Sequence, residues 1–424
     1  MRKSTRDAFI IGLALFAMFF GSGNLIFPPY LGKLVGDNYI LSMIGFIATG
    51  VGLPLLGILA CAKIGGTFSE ISLKVGKTFS IIATASIILA IGPMLAIPRT
   101  AATTYELSIT PIFPNFPILP TIIIYFIINL AFVLKPSSII DNIGKILTPI
   151  LLLLLLIIIV KGFISPIGPI VHTGFKNVFS SSLIEGYQTM DAMASVIFAS
   201  IVLTTVKAKG YTETKDIIKM TSISGIVAVI GLGIVYGGLM YLGSQTSSIL
   251  PNDIGKSALV TEIVRRLLGY YGNVILGLAV ALACLTTSIG LTSSASSFFE
   301  SLFKGKISYK TNAIIISIVS AIIALNGVDK IVLLAVPILQ ILYPIVMILV
   351  VFTLLNVQNN TAIRISTYVA LFISVIDNFN YLGINIDMVD NFINFIPLSQ
   401  VGFAWVIPSI IAFIISYLFV KKQS

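Results

Sequence analysis

One histidine, two cysteines and one tryptophan occur in 424 residues, and only 10% of the chain is charged. Each scarcity closes a route. With His172 alone and no cluster of acids or cysteines at metal spacing, zinc hydrolysis and a Ser-His-Asp relay lose their supports. Cys61 and Cys284 both lie in apolar runs and read as small buried side chains rather than a disulfide or a metal pair. A soluble domain of ordinary composition is about 25% charged. This chain is instead 57% hydrophobic, with a mean hydropathy of +1.06.

What stands in place of charge is a series of long apolar runs, at about 7–30, 38–62, 79–106, 118–135, 139–161, 182–206, 219–243, 272–300, 309–327, 329–355, 363–382 and 402–420. Each suits a bilayer core about 30 Å thick. The expectation is an all-α polytopic membrane protein with 12 transmembrane helices, folded as one domain over 1–424 with no separate soluble part. Met1–Arg6 leads directly into a full-length run with no cleavage pattern, so the first helix is expected to act as its own targeting signal.

The net charge of +10 invites a nucleic-acid partner, but the placement of Lys and Arg argues otherwise. With the N-terminus inside, seven fall outside: Lys33, Lys161, Lys176, Lys256, Arg265, Arg266 and Lys330. Arg99 falls within a span, and all the rest lie inside. That asymmetry is the positive-inside pattern. It places both termini in the cytoplasm, locates the protein in the cell membrane and leaves nothing for nucleic acid to explain.

Two runs are interrupted. The first contains Phe19-Phe20-Gly21-Ser22-Gly23-Asn24-Leu25-Ile26-Phe27-Pro28-Pro29, where glycine and polar residues replace the aliphatic residues of a simple anchor. A break at membrane depth is tolerable only beside protein, a water-filled cavity or a ligand. The sixth run carries Glu185-Gly186-Tyr187-Gln188-Thr189-Met190-Asp191 before its clean apolar part. The first run opens a five-helix block from the inside and the sixth opens another from the outside. Two inverted halves, at about 7–161 and 182–355, follow, with extra helices at 363–382 and 402–420. Paired interruptions in inverted halves point to a transport site near the midplane.

Three further stretches carry chemistry. Gly92-Pro93 and Pro98 kink the third run, where Arg99 costs about 2.5–3.5 kcal/mol at mid-span and should face the bundle interior. Arg99 could serve a gate, or it could simply pair with Glu106 or a carbonyl. The eighth run places Thr286 and Thr287 at its centre, with Thr292 and Ser293 nearly two turns later. Hydroxyls suit a hard cation such as Na⁺, although small residues also form ordinary interhelical hydrogen bonds worth about 0.6 kcal/mol. Ser257–Leu268 puts Leu259, Val260, Ile263, Val264, Leu267 and Leu268 on one face and Glu262, Arg265 and Arg266 on the other. That pattern is an amphipathic outside helix, either a lid or an interfacial rest. Asp377, Asp387 and Asp390 read as a solvated outside face.

Taken with Gly-Pro-x-x-Ala-Ile-Pro-Arg-Thr at 92–100, Glu-Gly-Tyr-x-Thr-Met-Asp-Ala at 185–192 and Leu-Thr-Thr-x-Ile-Gly-Leu at 285–291, the stretch 19–29 resembles the bacterial branched-chain amino acid:cation symporters, the BrnQ-type family. The resemblance spans nearly the whole chain. It implies a secondary transporter of leucine, isoleucine and valine coupled to Na⁺, on the LeuT-type 5+5 inverted-repeat fold with discontinuous helices 1 and 6. On that frame Ser22, Gly23 and Asn24 would meet the substrate carboxylate, and Gly186, Tyr187 and Thr189 would cap it from helix 6. The sodium site would fall on carbonyls near Ala17 and Phe20 plus the hydroxyls of Thr286 and Thr287. No cofactor is implied beyond the coupling ion. Asp191 could neutralise a cation, carry a proton or merely stabilise its broken helix, and Glu185 is the other candidate proton carrier. Met94, Ile97, Met190 and Met193 are candidate walls for a branched side chain.

A proton-coupled symporter keeps the same frame. A membrane enzyme acting on lipid-linked substrates needs a His or acid constellation that is missing, and a non-transporting amino acid sensor would bind without accumulation.

Overall fold

The computed structural model describes residues 3–135, 143–251, 253–384 and 386–421. Among these, helix is the only extended regular structure. Lipid offers no partner for a backbone amide, so each spanning segment must close its own hydrogen bonds.

The first expected span is two helices, α1 (Lys3–Phe19) and α2 (Ser22–Val35). Gly36, with φ +57°, ends α2, and α3 (Tyr39–Ile47) packs back on it before a π turn leads into α4 (Leu53–Ile64). A short α5 (Phe68–Ser72) precedes α6 (Lys77–Leu89). A π turn over Ala90–Met94 then joins α6 to α7 (Ala96–Thr104), and non-helical Gly92 beside Pro93 makes the expected kink. Next come α8 (Ile118–Val133) and α9 (Thr148–Ile164). The expected start of the fifth span, 139–142, lies outside the described residues.

The sixth span is again two helices, α10 (Val178–Tyr187) and α11 (Asp191–Ala208), followed by α12 (Thr214–Ser244). In α13 (Lys256–Leu302), Gly269 at φ +62° and ψ −149° kinks the chain between the amphipathic part and the eighth span. Only glycine takes that backbone angle readily. The rest is α14 (Tyr309–Ala324), α15 (Val328–Leu354), α16 (Asn360–Asp377), the short α17 (Asp387–Phe395) and α18 (Val406–Lys421). The eleventh expected span therefore ends at Asp377 rather than 382, because a 3-10 turn at Asn380–Leu382 replaces the last helical turn. Among the described residues, seven helical stretches are long and apolar enough to cross a membrane, and three shorter apolar helices accompany them. The chain is a multi-pass membrane protein.

Burial inverts the pattern of a soluble bundle. On α8, Leu119, Ile123, Ile124 and Ile127 face outward, whereas Thr121, Tyr125 and Asn129 are buried. Apolar side chains gain nothing by leaving lipid for a protein interior, so close backbone packing and internal hydrogen bonds hold the helices together. The tightest such contact joins α2 to α12. A Cβ on Gly32 would overlap the Met240 carbonyl, and one on Gly243 would overlap the Pro29 carbonyl. Both obstacles are backbone and cannot rotate away.

Gly243→Ala should therefore cost about 1–3 kcal/mol and lower the thermal unfolding midpoint by several degrees. Gly255→Ala, which meets open space at an ordinary φ of −62°, should leave the midpoint unchanged. Equal midpoints for the two variants would contradict the packing.

Candidate functional site

The first break forms because Gly21 is extended, at φ −103° and ψ −158°, and stops the run between Phe19 and Ser22. Its amide turns to Phe19 O at 2.7 Å and Asn24 Oδ1 at 3.3 Å. The carbonyl of Ala17, four residues back, is thereby released from its usual helical partner. The hydroxyls of Thr286 (2.8 Å) and Thr287 (3.4 Å) on α13 donate to it instead. Glycine permits that approach, since a Cβ at position 21 would stand 2.9 Å from Thr287 Oγ1.

In the second break, α10 ends at Tyr187, Met190 takes the left-handed conformation at φ +70°, and Asp191 opens α11. A non-glycine residue there is an unusual, strained choice. Thr189 Oγ1 closes the turn on Gly186 O at 2.8 Å, and the carbonyls of Gln188 and Thr189 project free of any helical ladder.

Two side-chain systems join the breaks. Arg99, 2% exposed, reaches from α7 and donates from Nη1 to Gln188 O (2.9 Å), from Nη2 to Thr189 O (3.3 Å) and from Nε to Ser22 Oγ (2.9 Å). Gly23 leaves room for the guanidinium, because a Cβ there would lie 2.8 Å from Nη2. The second system centres on Asp191, whose Oδ2 accepts from Asn24 Nδ2 at 2.5 Å and from Tyr236 OH at 3.3 Å. Asn24 also bonds Tyr236 directly. At the start of α11, the Asp191 carboxylate has the favourable end of the helix dipole.

Ser22, Asn24, Arg99, Thr189, Asp191 and Thr287 thus surround one cavity, walled on its apolar side by Met18, Phe19, Ile91, Met190 and Leu291. It encloses about 10 Å³, room for about one water. A second cavity of about 470 Å³ opens toward α5, between α6, α11 and the end of α13. Its polar lining includes Thr67, Glu70, Lys77, Ser80, Thr84, Ser200, Ser294 and Ser297.

At the opposite end, the start of α13 is fastened. Lys256 Nζ lies 3.4 Å from Glu185 Oε2 on α10 and over the rings of Phe27 (4.4 Å) and Tyr30 (4.8 Å) on α2. The neighbouring Ser257 donates to Glu106 Oε2 at 3.0 Å, while Glu106 Oε1 accepts from Val328 N. The amphipathic segment buries Leu259, Val260, Ile263, Val264 and Leu267 and exposes Arg265 and Arg266, as its pattern requires.

Several expectations are corrected by these contacts. Of the two pairings expected for Arg99, a carbonyl partner is the one made, supplied by the second break, and Glu106 is not its partner. Gly186 and Tyr187 stand away from the cavity. Gly186 packs against Thr49 and Gly50, and Tyr187 stacks on Tyr343 at 4.6 Å with its hydroxyl on Met347 Sδ. The Phe20 ring stacks between Phe16 and Tyr236. Of the four candidate walls only Met190 lines the cavity, and Met94 is 44% exposed. Thr292 and Ser293 face other helices, accepting from Asn129 and Tyr309. Cys61 and Cys284 are free and buried, as their apolar surroundings implied.

Two participants escaped the sequence. Tyr236 sits among glycines and aliphatics of α12, where only a hydroxyl in an apolar stretch hinted at a buried partner. Gln188 Oε1 is buried without a hydrogen-bond partner, beside the two carbonyls that Arg99 holds.

Comparison with known proteins agrees along the whole chain. A likeness in fold alone links it to a Na⁺-coupled sialic acid symporter in a substrate-bound outward-open state. The TM-score is 0.65 and the identity 16%, over 97% of this chain and 90% of that one. MhsT in complex with L-phenylalanine has a TM-score of 0.56 and 15% identity, over 96% of this chain and 98% of that one. The fold is that of the LeuT-type transporters. A curated relative, the branched-chain amino acid permease BraB of Bacillus subtilis (strain 168), is 37% identical over 427 residues, covering 97% of this chain and 95% of the relative. Residues 4–423 match the family described as branched-chain amino acid transport protein. The chain belongs to that family, which is one of transporters and not of enzymes.

Proposed function

We propose that the protein imports leucine, isoleucine and valine by symport with Na⁺, through alternating access to the cavity between the two helix breaks. The observation that carries this reading is the convergence of both breaks on one buried space. The N-terminus of α2, with Ser22, Gly23 and Asn24, offers backbone donors and a positive dipole end to a carboxylate. The end of α10 offers the carbonyls of Gln188 and Thr189 to an ammonium group. Met18, Phe19, Ile91 and Leu291 give the apolar wall that an aliphatic side chain needs.

In this reading Na⁺ binds where Ala17 O meets Thr286 and Thr287, with the Phe20 carbonyl beside it. Neutral oxygens of this kind suit a hard monovalent cation. The blocks 7–161 and 182–355 act as inverted halves, and both termini face the cytoplasm of a cell-membrane protein. The polar cavity near α5 is then the inner opening, and the fastened start of α13 is a closed outer lid. Proton coupling is the second reading. It is favoured by Asp191, a buried acid at the cavity held by Asn24 and Tyr236.

The test is labelled leucine uptake into proteoliposomes of purified protein, under a Na⁺ gradient and separately under a proton gradient without Na⁺. Uptake is expected with Na⁺ alone. Thr286→Val and Thr287→Val should each raise the Na⁺ concentration for half-maximal uptake about tenfold, the loss of one charged-group contact of about 1.4 kcal/mol. Uptake driven by protons alone moves the coupling to Asp191, and no uptake under either gradient sinks the leucine reading.

The lid has its own check. Lys256→Met and Glu185→Gln should each speed labelling of a cysteine at position 22 by an impermeant thiol reagent added from the outer face. Unchanged rates would show that the ion pair does not hold the lid.

A further inference from the structure

The guanidinium of Arg99 occupies the place that the proposed reading assigns to a substrate's ammonium group. It is buried, and it spends its donors on the carbonyls of Gln188 and Thr189 and on Ser22 Oγ rather than on a carboxylate. One partner belongs to the first break and two to the second. Gln188 Oε1 adds an unpartnered buried acceptor to the same break. With the guanidinium in place the cavity holds about 10 Å³, too little for an amino acid beside it, and the guanidinium takes the carbonyls that an ammonium group would need.

We propose that Arg99 is a built-in surrogate cation, which satisfies the break between α10 and α11 when the carrier is empty and yields its carbonyls to the ammonium group of an arriving amino acid. The inference rests on the amino acid symport reading above. Its physical basis is the cost of open carbonyls at membrane depth. An acceptor left unmet there carries an uncompensated desolvation penalty. The loaded carrier has the substrate's ammonium to meet those carbonyls. An empty carrier has no such guest, yet it must close around the same carbonyls to return across the membrane after each delivery. Arginine suits the task because its planar, permanently charged fork serves several acceptors at once, which a lysine ammonium on a flexible stem does not do in one fixed geometry.

Two transport modes separate this role from direct substrate binding. Net uptake requires the empty carrier to return, whereas counterflow of external labelled leucine against internal unlabelled leucine uses only the loaded carrier. Both are measured on reconstituted full-length protein with Na⁺ present, equal on the two sides for counterflow. For Arg99→Gln, net uptake should fall at least about tenfold while counterflow stays within about threefold of wild type, and leucine binding should be unchanged or tighter. Arg99→Lys, which keeps the charge, should recover part of the net uptake. Parallel loss of net uptake, counterflow and leucine binding would overturn the proposal and make Arg99 a direct anchor; full retention of net uptake would also overturn it. Should Arg99→Gln fail to fold, Arg99→Lys carries the test alone through a reduced ratio of net uptake to counterflow, and an unchanged ratio overturns the proposal. Wild-type protein inactive toward leucine in both modes would instead refute the substrate reading.

Discussion

Backbone carbonyls left open in the middle of a membrane are the constraint around which this structure is arranged. A helix that stops there must find donors inside the protein, and Arg99 supplies them to Gln188 and Thr189 while holding Ser22 of the other broken helix. Asn24, Asp191 and Tyr236 tie the same two breaks through a second set of hydrogen bonds. The permanent charge of Arg99 is tolerable at that depth because acceptors from two helices converge on it, and the Asp191 carboxylate has two donors and a helix N-terminus. Together these two systems give the two interruptions, which are what make the fold more than a bundle, a common centre.

The surroundings follow from that centre. Gly21 and Gly23 are small because Thr287 and the guanidinium press against them. Gly32 and Gly243 let α2 lie flush on α12, which also delivers Tyr236 to Asp191. One end of the molecule is drawn shut by Lys256, Glu185, Ser257 and Glu106, and the other opens in a polar cavity beside α5. On the proposed reading this is a carrier closed to the outside. On that reading the start of α13 is the lid, since its first two residues, Lys256 and Ser257, carry the fastening contacts.

The broad architecture was legible because lipid enforces a simple code: apolar runs mark spans, and a glycine-polar interruption within one marks a break. Both breaks lie where Gly21–Asn24 and Gly186–Asp191 announced them. Details that depend on side-chain direction were not legible. Tyr187 lies in the break motif, yet the local turn points it at Tyr343 and away from the cavity. Arg99 stood out as a charge in a span with a carbonyl among its expected partners, but residue type does not advertise which carbonyls, nor that Ser22 joins them. Thr286 and Thr287 could not be told from Thr292 and Ser293 by composition. A difference of six residues rotates them onto different neighbours, one pair toward Ala17 and the other toward Asn129 and Tyr309.

The most direct measurement is an experimental structure of the protein determined with Na⁺ and leucine present. The expected result is leucine lodged between the N-terminus of α2 and residues 188–190, its ammonium on the Gln188 and Thr189 carbonyls and the Arg99 guanidinium moved off them. Leucine bound elsewhere, with Arg99 still spanning both breaks, would contradict the central claim that the two breaks form the transport site.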